Sequence, residues 1–415
     1  MRFPGNLASD VQKLRDLLHS IASDSGAYRF GTAAGPNAGH DDQLKAALIS
    51  LAGAGWSLYT QLVGRSMRAG LQEVLHASPG QTIKIAHVLI EKVIPWALVY
   101  DRYFSPNPAA DADGKVPAVD ACLAALPRAD GTPSPAECGK HPGCVLHPDQ
   151  LAQRAAAGLP PLTAKSVACP RHFWGFQHIV EISPKVVRPN ADPVAEADVV
   201  RNATPARFLA AFNDTLSLAR PHLGRLSAPE HTDPGVAVWE SEFVGTNVRN
   251  QLEREDLDLI YLYCHARGGA ADPTRSPCLE FSANNAPAVV TPADLVHDES
   301  TWTHHPLVIL NGCGTVGFSP DALSPFIPIL VDDRGAAGLL GTEISVWEQL
   351  AGEFAEHFLR AFVSGEPAGA ALVQARRRLL AQRNPLGLAY TLYANADLRF
   401  GSPQSPAAAR VMRSG

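Results

Sequence analysis

The sequence predicts an α/β protein whose central sheet is mostly parallel. From about residue 196, short apolar stretches alternate with amphipathic helical patterns, and this alternation is typical of strand–helix–strand units. Two of the stretches, Leu257–Tyr263 and Leu307–Leu310, are short and rich in Val, Ile, Leu and Tyr. Such stretches, closed by glycine soon afterwards, are typical of buried parallel strands. We therefore expect helices on both faces of the sheet.

The composition bounds the class of protein. The chain has 415 residues, of which 46% are hydrophobic and 18% charged, with a net charge of −6 and a pI near 6.2. These values give no general attraction to nucleic acid or to an anionic membrane. The apolar stretches are too short or too interrupted to span a bilayer, and Met1–Pro4 lacks the apolar core of a signal peptide. We expect a cytoplasmic protein that binds neither nucleic acid nor a membrane.

The N-terminal part is predicted to contain two regions before the alternation begins. Residues 1–37 form an N-terminal helical segment, since apolar residues recur at helical spacing between Val11 and Ile21. Residues 38–195 form an N-terminal α/β part, with a helix capped near Asp41 and β-rich sequence from Gln81 to Ile94. This part includes a long loop, residues 104–170, with a short helix near Leu151. A loop of this length is usually functional or disordered.

Four of the seven cysteines lie in or at the end of this loop: Cys122, Cys138, Cys144 and Cys169. The stretch Cys138-Gly-Lys-His141-Pro-Gly-Cys144 suggests a zinc-stabilised loop, because structural zinc takes four Cys or His ligands. Its spacing is not that of a tight Cys pair. The alternative is that these are reduced cysteines that pack as small apolar groups. Both readings stay open from the sequence, and no cofactor or catalytic metal is predicted.

Residues 196–400 are predicted to be the catalytic part, and residues 401–415 a flexible tail. In chain order the expected elements are strand 208–212, helix 215–226, strand 236–239, helix 244–252, strand 257–263, a hairpin over 277–281 and 288–290, strand 307–310, helix 322–331, strand 335–342, helices 346–363 and 368–382, and strand 388–393.

A histidine and a cysteine leave two of these strands in glycine-containing turns. His265 follows the strand that ends at Tyr263, and Cys313 follows the strand that ends at Leu310. Because the carboxyl ends of strands in an open α/β sheet form the site crevice, these side chains can meet there. A cysteine nucleophile needs a base or a neighbour that lowers its pKa, and a histidine supplies both. Alternation along the strand points Cys264 away from His265, so we interpret Cys264 as structural.

Several motifs resemble the CHAT domain, a member of the caspase and separase superfamily of cysteine peptidases. They are Tyr263-Cys264-His265, the turn Asn311-Gly312-Cys313-Gly314, and the stretch Gly335–Glu343 followed by a long helix. The resemblance covers roughly residues 40 to 400. It implies a caspase-like fold in which His265 is the general base and Cys313 the nucleophile. It also implies an oxyanion hole formed by the backbone N–H groups of Cys313 and Ala266, where the family often has glycine.

The same resemblance suggests where substrate specificity lies. In caspase-like folds the end of the first strand helps to line the pocket for the residue before the scissile bond, and here that strand ends at Asn213-Asp214. Asp214 could pair with a Lys or Arg side chain of the substrate. The alternative is that Asp214 caps a helix that starts at Thr215. Other acidic candidates are Glu343, Asp332 and Asp333.

The sequence therefore predicts a cysteine endopeptidase that cleaves a specific protein partner. The resemblance suggests a regulated effector in bacterial defence or cell death, controlled by a regulatory protein partner. The alternative is a catalytically silent caspase-like scaffold that binds a protein partner without cleaving it.

Overall fold

The computed structural model describes residues 7–24, 27–30, 38–85, 94–110, 114–183, 199–201, 205–228, 236–267, 277–282, 288–296, 301–312 and 326–401. In this part of the chain the α-helices are α1 Leu7–Ala22, α2 Ala38–Leu62, α3 Arg65–Ala77, α4 Pro148–Ala156, α5 Trp174–Gln177, α6 Ala219–Leu226, α7 Gly245–Leu252, α8 Pro292–Val296, α9 Phe326–Pro328, α10 Glu348–Val363 and α11 Ala368–Ala381.

The strands of the same ranges are β1 Ser23–Asp24, β2 Ala27–Tyr28, β3 Thr82–Ile85, β4 Asp120–Ala121, β5 Val167–Ala168, β6 Ile179–Ile182, β7 Val199–Arg201, β8 Ala206–Phe212, β9 Ala237–Glu242, β10 Leu259–Arg267, β11 Cys278–Ser282, β12 Ala288–Val290, β13 Leu307–Gly312, β14 Gly338–Thr342, β15 Tyr390–Ala394 and β16 Arg399–Gly401. Short 3-10 turns cover Trp96–Leu98, Leu123–Ala125, Pro170–His172 and Pro385–Ala389, and a π turn covers Ile329–Asp333.

The chain divides into two compact units that are discontinuous in sequence. The first consists of Met1–Ile83, Ile94–Val180 and Val373–Ala389, and the second of Lys84–Val93, Glu181–Leu372 and Tyr390–Gly415. The return of residues 373–389 to the first unit has no counterpart in the sequence prediction, which places the whole of 196–400 in one catalytic part.

The first unit is built on helices α1 and α2, which pack on each other. Leu14, Leu18, Leu44 and Leu48 are buried at the spacing expected of apolar helix faces. Gly55 lies in α2 where a Cβ atom would come 2.3 Å from the carbonyl oxygen of Leu98. Only glycine allows this close approach between α2 and the 96–98 turn.

The second unit contains the central sheet. Strands β9, β8, β10, β13 and β14 are parallel neighbours in that order, and β15 adds antiparallel to β14. The far end of β10 continues as an antiparallel ladder with β11, and β11 pairs with β12. The sheet is therefore mostly parallel with antiparallel additions, as predicted.

Both faces of the sheet are covered. Successive residues of β10 from Leu259 to Cys264 are at most 1% exposed. Because successive side chains of a strand point to opposite faces, both faces of the sheet are buried at this strand. One face meets α10, where the ring of Phe354 stacks on Tyr390 of β15 at a centroid distance of 3.4 Å. These features confirm the predicted α/β fold class, with a mostly parallel sheet that is covered on both faces.

Among the predicted boundaries that differ from the structure, two have identifiable reasons. Strand β10 continues past Tyr263 to Arg267 because β11 supplies a new antiparallel partner there. Helix α6 begins at Ala219 and not at Thr215, because the Asn213 side chain holds Thr215 in a turn. Its Oδ1 accepts hydrogen bonds from the backbone N–H and hydroxyl of Thr215 at 2.9 and 2.6 Å.

No single helix among the described residues is long and apolar enough to cross a bilayer. His40–Leu62 and Arg65–Ala77 meet the length and composition criterion only as a pair, which is bent by 119° at its break.

Candidate active site

The carboxyl ends of three parallel strands lie side by side in the second unit. Tyr263 of β10 is in register with Phe212 of β8, and Cys264 of β10 is in register with Gly312 of β13. These pairs arise because the apolar segments predicted as strands pair in parallel along their full length. His265 is the next residue of β10, and Asn213 is the next residue after β8. The strand ends that carry the predicted site residues thus share one edge of the sheet.

His265 lies where strand β10 stops pairing with β8 and begins to pair with β11. It is in register with Glu280 of β11, and its side chain is half-buried. Its Nε2 atom lies 3.4 Å from the hydroxyl oxygen of Thr215, on the turn that follows β8. The structure therefore brings His265 together with the 213–215 turn, which the sequence analysis connected to the site only through Asp214.

Asn213 organises this turn from a fully buried position. Its backbone N–H donates to the carbonyl of Tyr263 at 2.8 Å, and its side-chain amide donates to the carbonyl of Glu280 at 2.8 Å. Its Oδ1 accepts both hydrogen bonds from Thr215. Through its backbone and its side chain, this one residue connects β8 to β10, to β11 and to the turn beside His265.

The hydrogen-bond roles at Thr215 determine the tautomer of His265. A hydroxyl has one proton, and the Thr215 hydroxyl gives it to Asn213 at 2.6 Å. The Thr215 oxygen can then only accept from His265, so Nε2 carries the ring proton in the neutral imidazole. The lone pair of the ring is left on Nδ1, which is the atom that can act as a base.

Cys313 lies outside the described residues. The described chain reaches Gly312, which is buried and whose carbonyl accepts a hydrogen bond from the Val346 N–H at 3.3 Å. Cys264, the residue beside His265, is 1% exposed, and its burial raises the pKa of its thiol. A buried thiol with a raised pKa is a poor nucleophile, which agrees with its interpretation as structural.

Ala266 continues strand β10 opposite Leu279 of β11. Among the described non-glycine residues, positive φ angles occur at His305 and Arg383. Ala266 therefore has a negative φ angle that an alanine adopts without strain. The change from the glycine common in the family is compatible with the backbone at this position.

Asp214 is exposed on the turn beside Thr215, and its backbone N–H donates to the carbonyl of Phe281 at 3.2 Å. The N-cap position of α6 is Leu218, so the alternative role of Asp214 as the cap of a helix beginning at Thr215 is wrong. Its carboxylate belongs instead to the turn that contacts His265.

The other acidic candidates occupy different positions from those expected. Glu343 follows β14 at the correct edge, but it is 1% exposed and accepts a hydrogen bond from the Thr391 hydroxyl at 2.6 Å. Asp332 and Asp333 are exposed in the π turn that precedes β14. They lie at the amino end of that strand, away from the edge that carries His265, because the strand runs from Gly338 towards Glu343.

A buried polar network beneath the site was not found from the sequence. The Asn311 amide donates to the Tyr261 hydroxyl at 2.9 Å and to the Ala351 carbonyl at 2.8 Å, and its Oδ1 accepts from the Tyr390 hydroxyl at 2.9 Å. The Tyr261 oxygen lies 2.8 Å from Nε2 of His222, whose Nδ1 lies 3.1 Å from the Glu356 carboxylate. Isolated polar residues inside apolar stretches were the available signal.

The contacts of this network are consistent with a neutral imidazole at His222. If Nδ1 of His222 donates to Glu356, Nε2 accepts from Tyr261, and the Tyr261 oxygen accepts from Asn311. This requires a neutral imidazole, and burial lowers the pKa of His222 accordingly. Burial acts to raise the pKa of Glu356, but hydrogen bonds from His222 and Arg225 lower it overall.

Comparisons with known proteins show the family to which this chain is related. The sequence profile of the CHAT domain matches residues 185–405, more than half of the chain. A protein of Vitiosangium sp. that is named a probable protease is 31% identical over 249 residues, which cover 58% of this chain and 32% of the relative. Two crystal structures of the Saccharomyces cerevisiae separase–securin complex each cover 95% of this chain at 11% identity, with TM-scores of 0.40 and 0.38. This chain covers 28% and 27% of those separase chains, so it spans less than a third of each of these relatives.

Proposed function

Because this chain belongs to the CHAT domain family, we propose that it is a cysteine endopeptidase with Cys313 as nucleophile and His265 as general base. A peptidase activity is in keeping with the relative that is named a probable protease. The observation that carries the residue assignment is the register between Cys264 and Gly312. His265 and Cys313 are each the next residue after this pair, and consecutive Cα atoms lie about 3.8 Å apart.

The tautomer of His265 supports this assignment of roles. With the proton on Nε2 held by Thr215, Nδ1 accepts the proton of the Cys313 thiol. The thiolate then attacks the substrate carbonyl, and the resulting imidazolium donates its proton to the leaving amine. Water hydrolyses the thioester in the second half of the reaction, with His265 again as base.

Stabilisation of the oxyanion is assigned to the backbone N–H groups of Ala266 and Cys313. The ordinary strand backbone at Ala266 is compatible with a fixed N–H donor. Donors held in place before the reaction stabilise the charge without reorganisation.

The substrate side of the proposal rests on Asp214. Its exposed carboxylate lies one residue from Thr215, whose hydroxyl contacts His265. An exposed carboxylate on the turn that contacts His265 favours a Lys or Arg side chain immediately before the scissile bond. We infer that the biological role is the cleavage of a specific protein in a defence or cell-death response. A regulatory protein partner would control this cleavage. A cytoplasmic location stays a prediction from the sequence.

The test of the activity uses the products of neighbouring genes as candidate substrates. The wild-type protein is expected to cut one of them at a single site, and Cys313→Ala is expected to leave it intact. Cys264→Ala is the matched control. Cys264 is a buried cysteine near the carboxyl end of the sheet, and its loss should leave the cleavage unchanged. Equal processing by wild type and Cys313→Ala rejects catalysis by Cys313, and binding without cleavage by both supports the scaffold alternative.

The specificity of cleavage is tested with peptides that differ only in the residue before the cut. We expect Lys and Arg peptides to be cleaved fastest by wild type and to lose at least about tenfold in kcat/KM with Asp214→Asn, which corresponds to about 1.4 kcal/mol. Asp149→Asn, which changes an exposed carboxylate in the first unit, should have no effect. A preference for Asp or for an apolar residue at this position contradicts the role of Asp214.

A further inference from the structure

Glu348 is the first residue of helix α10, which follows β14 in the chain. Its half-buried carboxylate bonds across to a different element. The Oε2 atom accepts a hydrogen bond from the Leu218 N–H at 2.7 Å, and the Ser217 hydroxyl donates to the same oxygen at 3.2 Å. Both donors belong to the 213–218 stretch between β8 and α6, which also contains Thr215. The start of α10 is therefore tied to the stretch that contacts His265.

The 213–218 stretch is held at both of its ends. At its start, Oδ1 of Asn213 accepts hydrogen bonds from the backbone N–H and the hydroxyl of Thr215. At its end, the Glu348 carboxylate accepts from the backbone N–H of Leu218. Between these two points Leu216 is 6% exposed, so its side chain also packs into the protein. The position of the Thr215 hydroxyl therefore depends on Glu348 as well as on Asn213.

The backbone of Glu348 reaches the strand that carries His265. The Tyr263 hydroxyl donates to the Glu348 carbonyl at 3.1 Å, and Tyr263 lies two positions before His265 on β10. One residue thus contacts β10 through its carbonyl and the 213–218 stretch through its carboxylate. These are the two elements between which the Thr215 hydroxyl meets the His265 ring.

The segment just before Glu348 lies against the end of β13. The Val346 N–H donates to the Gly312 carbonyl at 3.3 Å, and Gly312 is the residue before Cys313 in the sequence. Val346 is separated from Glu348 by Trp347 alone, which is the N-cap residue of α10. The same short segment therefore borders the strand that leads to the proposed nucleophile and holds the stretch that supports the proposed base.

A purely structural role for the carboxylate is the competing explanation. Glu348 lies in the first turn of α10, where a negative charge is favourable. Leu218 is the N-cap residue of α6, so a bond to its N–H helps to satisfy the start of that helix. Either effect would change the stability of the protein, but neither would make the role of Glu348 depend on Thr215. The two explanations are therefore separable by experiment.

We propose that Glu348 is a positioning residue, which holds the 213–218 stretch so that the Thr215 hydroxyl stays within reach of Nε2 of His265. This inference rests on the proposed function, because it concerns how the general base is oriented in that reaction. The oxygen of Thr215 lies 3.4 Å from Nε2, which is long for a hydrogen bond. A small displacement of the stretch would therefore break this contact and leave the imidazole free to turn away from the thiol.

The test measures kcat on the substrate identified for the wild type. Glu348→Ala removes the acceptor and should lower kcat by about tenfold, the loss expected when one orienting hydrogen bond is released. Glu348→Gln keeps an oxygen that can accept from the Leu218 N–H and should retain most of the wild-type kcat. Glu366→Ala changes an exposed glutamate of the same unit and should leave kcat unchanged.

The double variant Thr215→Val/Glu348→Ala separates positioning from stabilisation. If Glu348 acts through Thr215, the alanine substitution should change kcat by less than about twofold once the Thr215 hydroxyl is gone. A purely structural role predicts the same fold loss in both backgrounds. Equal fold losses in the two backgrounds, or a wild-type kcat in Glu348→Ala, would overturn the inference.

Failure of this inference is distinct from failure of the proposed function. The wild type must first cleave its substrate and lose that cleavage with Cys313→Ala; without this result the peptidase itself is rejected. If Glu348→Ala does not fold, Glu348→Asp replaces it, since the aspartate keeps the charge at the start of α10 but withdraws the carboxylate by one methylene group. We expect it to lower kcat by at least about fivefold with Thr215 present and by less than about twofold with Thr215→Val. An unchanged kcat in Glu348→Asp would then count against positioning by Glu348.

Discussion

His265 is positioned by a chain of two hydrogen bonds that ends in a buried amide. Asn213 is fixed by three strands, it orients the Thr215 hydroxyl, and that hydroxyl meets Nε2 of His265. A base oriented by a third group is a recurring arrangement in nucleophilic catalysis. Here the third group is a threonine whose own proton is already committed, so it selects the tautomer as well as the orientation of the ring.

The first prediction concerns Thr215. Replacing it by Val removes the acceptor for Nε2 but keeps the shape of the side chain, so kcat should fall by about tenfold, the equivalent of one hydrogen bond of about 1.4 kcal/mol. Thr215→Ser keeps the hydroxyl and should retain most of the activity. Steady-state kinetics on the substrate identified for the wild type measure both. Equal kcat values for the Val and Ser variants would show that Thr215 does not orient His265.

Sequence reasoning at this scale proposed His265 and Asp214 as site residues but did not find the residues that support them. His265 stands out as a histidine after an apolar stretch, and Asp214 as a charge at a strand end. The contact of Thr215 with His265 depends on the pairing of β8 with β10, which brings together residues far apart in the chain. The order Asn213-Asp214-Thr215 was a visible signal, because asparagine often bonds to the backbone two residues later.

Strand β11 shapes the edge of the sheet beside the site. It pairs with β10 only beyond the end of β8, and it receives hydrogen bonds from Asn213 and Asp214 at Glu280 and Phe281. The hairpin of β11 and β12 therefore takes the place beside β10 that β8 leaves. Its hydrogen bonds hold the 213–215 turn, which follows β8, next to His265. The sequence predicted an inserted hairpin but not its position in the sheet.

The second prediction concerns the network that joins α6, β10, β13 and β15. Tyr390→Phe removes the donor to Asn311, and Tyr261→Phe removes a partner of both Asn311 and His222. Each change should lower the free energy of unfolding by about 1–3 kcal/mol, because a buried polar group loses its partner. Urea unfolding measures the effects, with Tyr103→Phe, at a half-exposed ring, as a control that should change stability by less than about 0.5 kcal/mol.

The double variant Tyr390→Phe/Tyr261→Phe tests whether the two tyrosines act through one network or as independent contacts. Tyr390 and Tyr261 both bond to Asn311, so their effects should be non-additive by at least about 0.5 kcal/mol. Strict additivity would mean that Asn311 does not couple the two strands. The elements themselves were predictable from apolar periodicity, whereas this coupling was not, because it depends on side chains that face one another only after the sheet has formed.

The third prediction concerns the whole molecule and its stability at acid pH. Burial lowers the pKa of His172 and His178 in the first unit and of His222 in the second. Their pKa values in the unfolded chain are about 6.5, so below that pH the unfolded chain binds protons that the folded chain resists. The free energy of unfolding is therefore greatest above about pH 6.5 and decreases as the pH falls towards the lowered folded pKa values.

Chemical unfolding at pH 7.5 and 5.5 measures this dependence. The wild type should be less stable at the lower pH, and His222→Phe should show a smaller difference between the two values because one of the three groups is gone. His19→Gln, at an exposed position of α1, should keep the wild-type difference. An unchanged difference in His222→Phe would mean that His222 is not held neutral in the folded protein.

At the scale of the whole chain, the sequence predicted the class of the fold. The strand and helix alternation from residue 196 onward describes the sheet correctly, since each segment carries its own apolar pattern. The assignment of residues 373–389 to the first unit could not be predicted, because the sequence of α11 is one continuous helical pattern with no break near residue 373. Local patterning carries no information on such a division.

The central claim is that His265 activates Cys313, and the most direct measurement is the rate at which iodoacetamide alkylates Cys313. Peptide mapping assigns the rate to this residue, and no substrate is needed. At pH 7 we predict rapid alkylation of Cys313 in the wild type and a rate at least about tenfold lower in His265→Gln, because the thiolate loses its base. Equal rates at Cys313 in the two proteins would contradict the dyad.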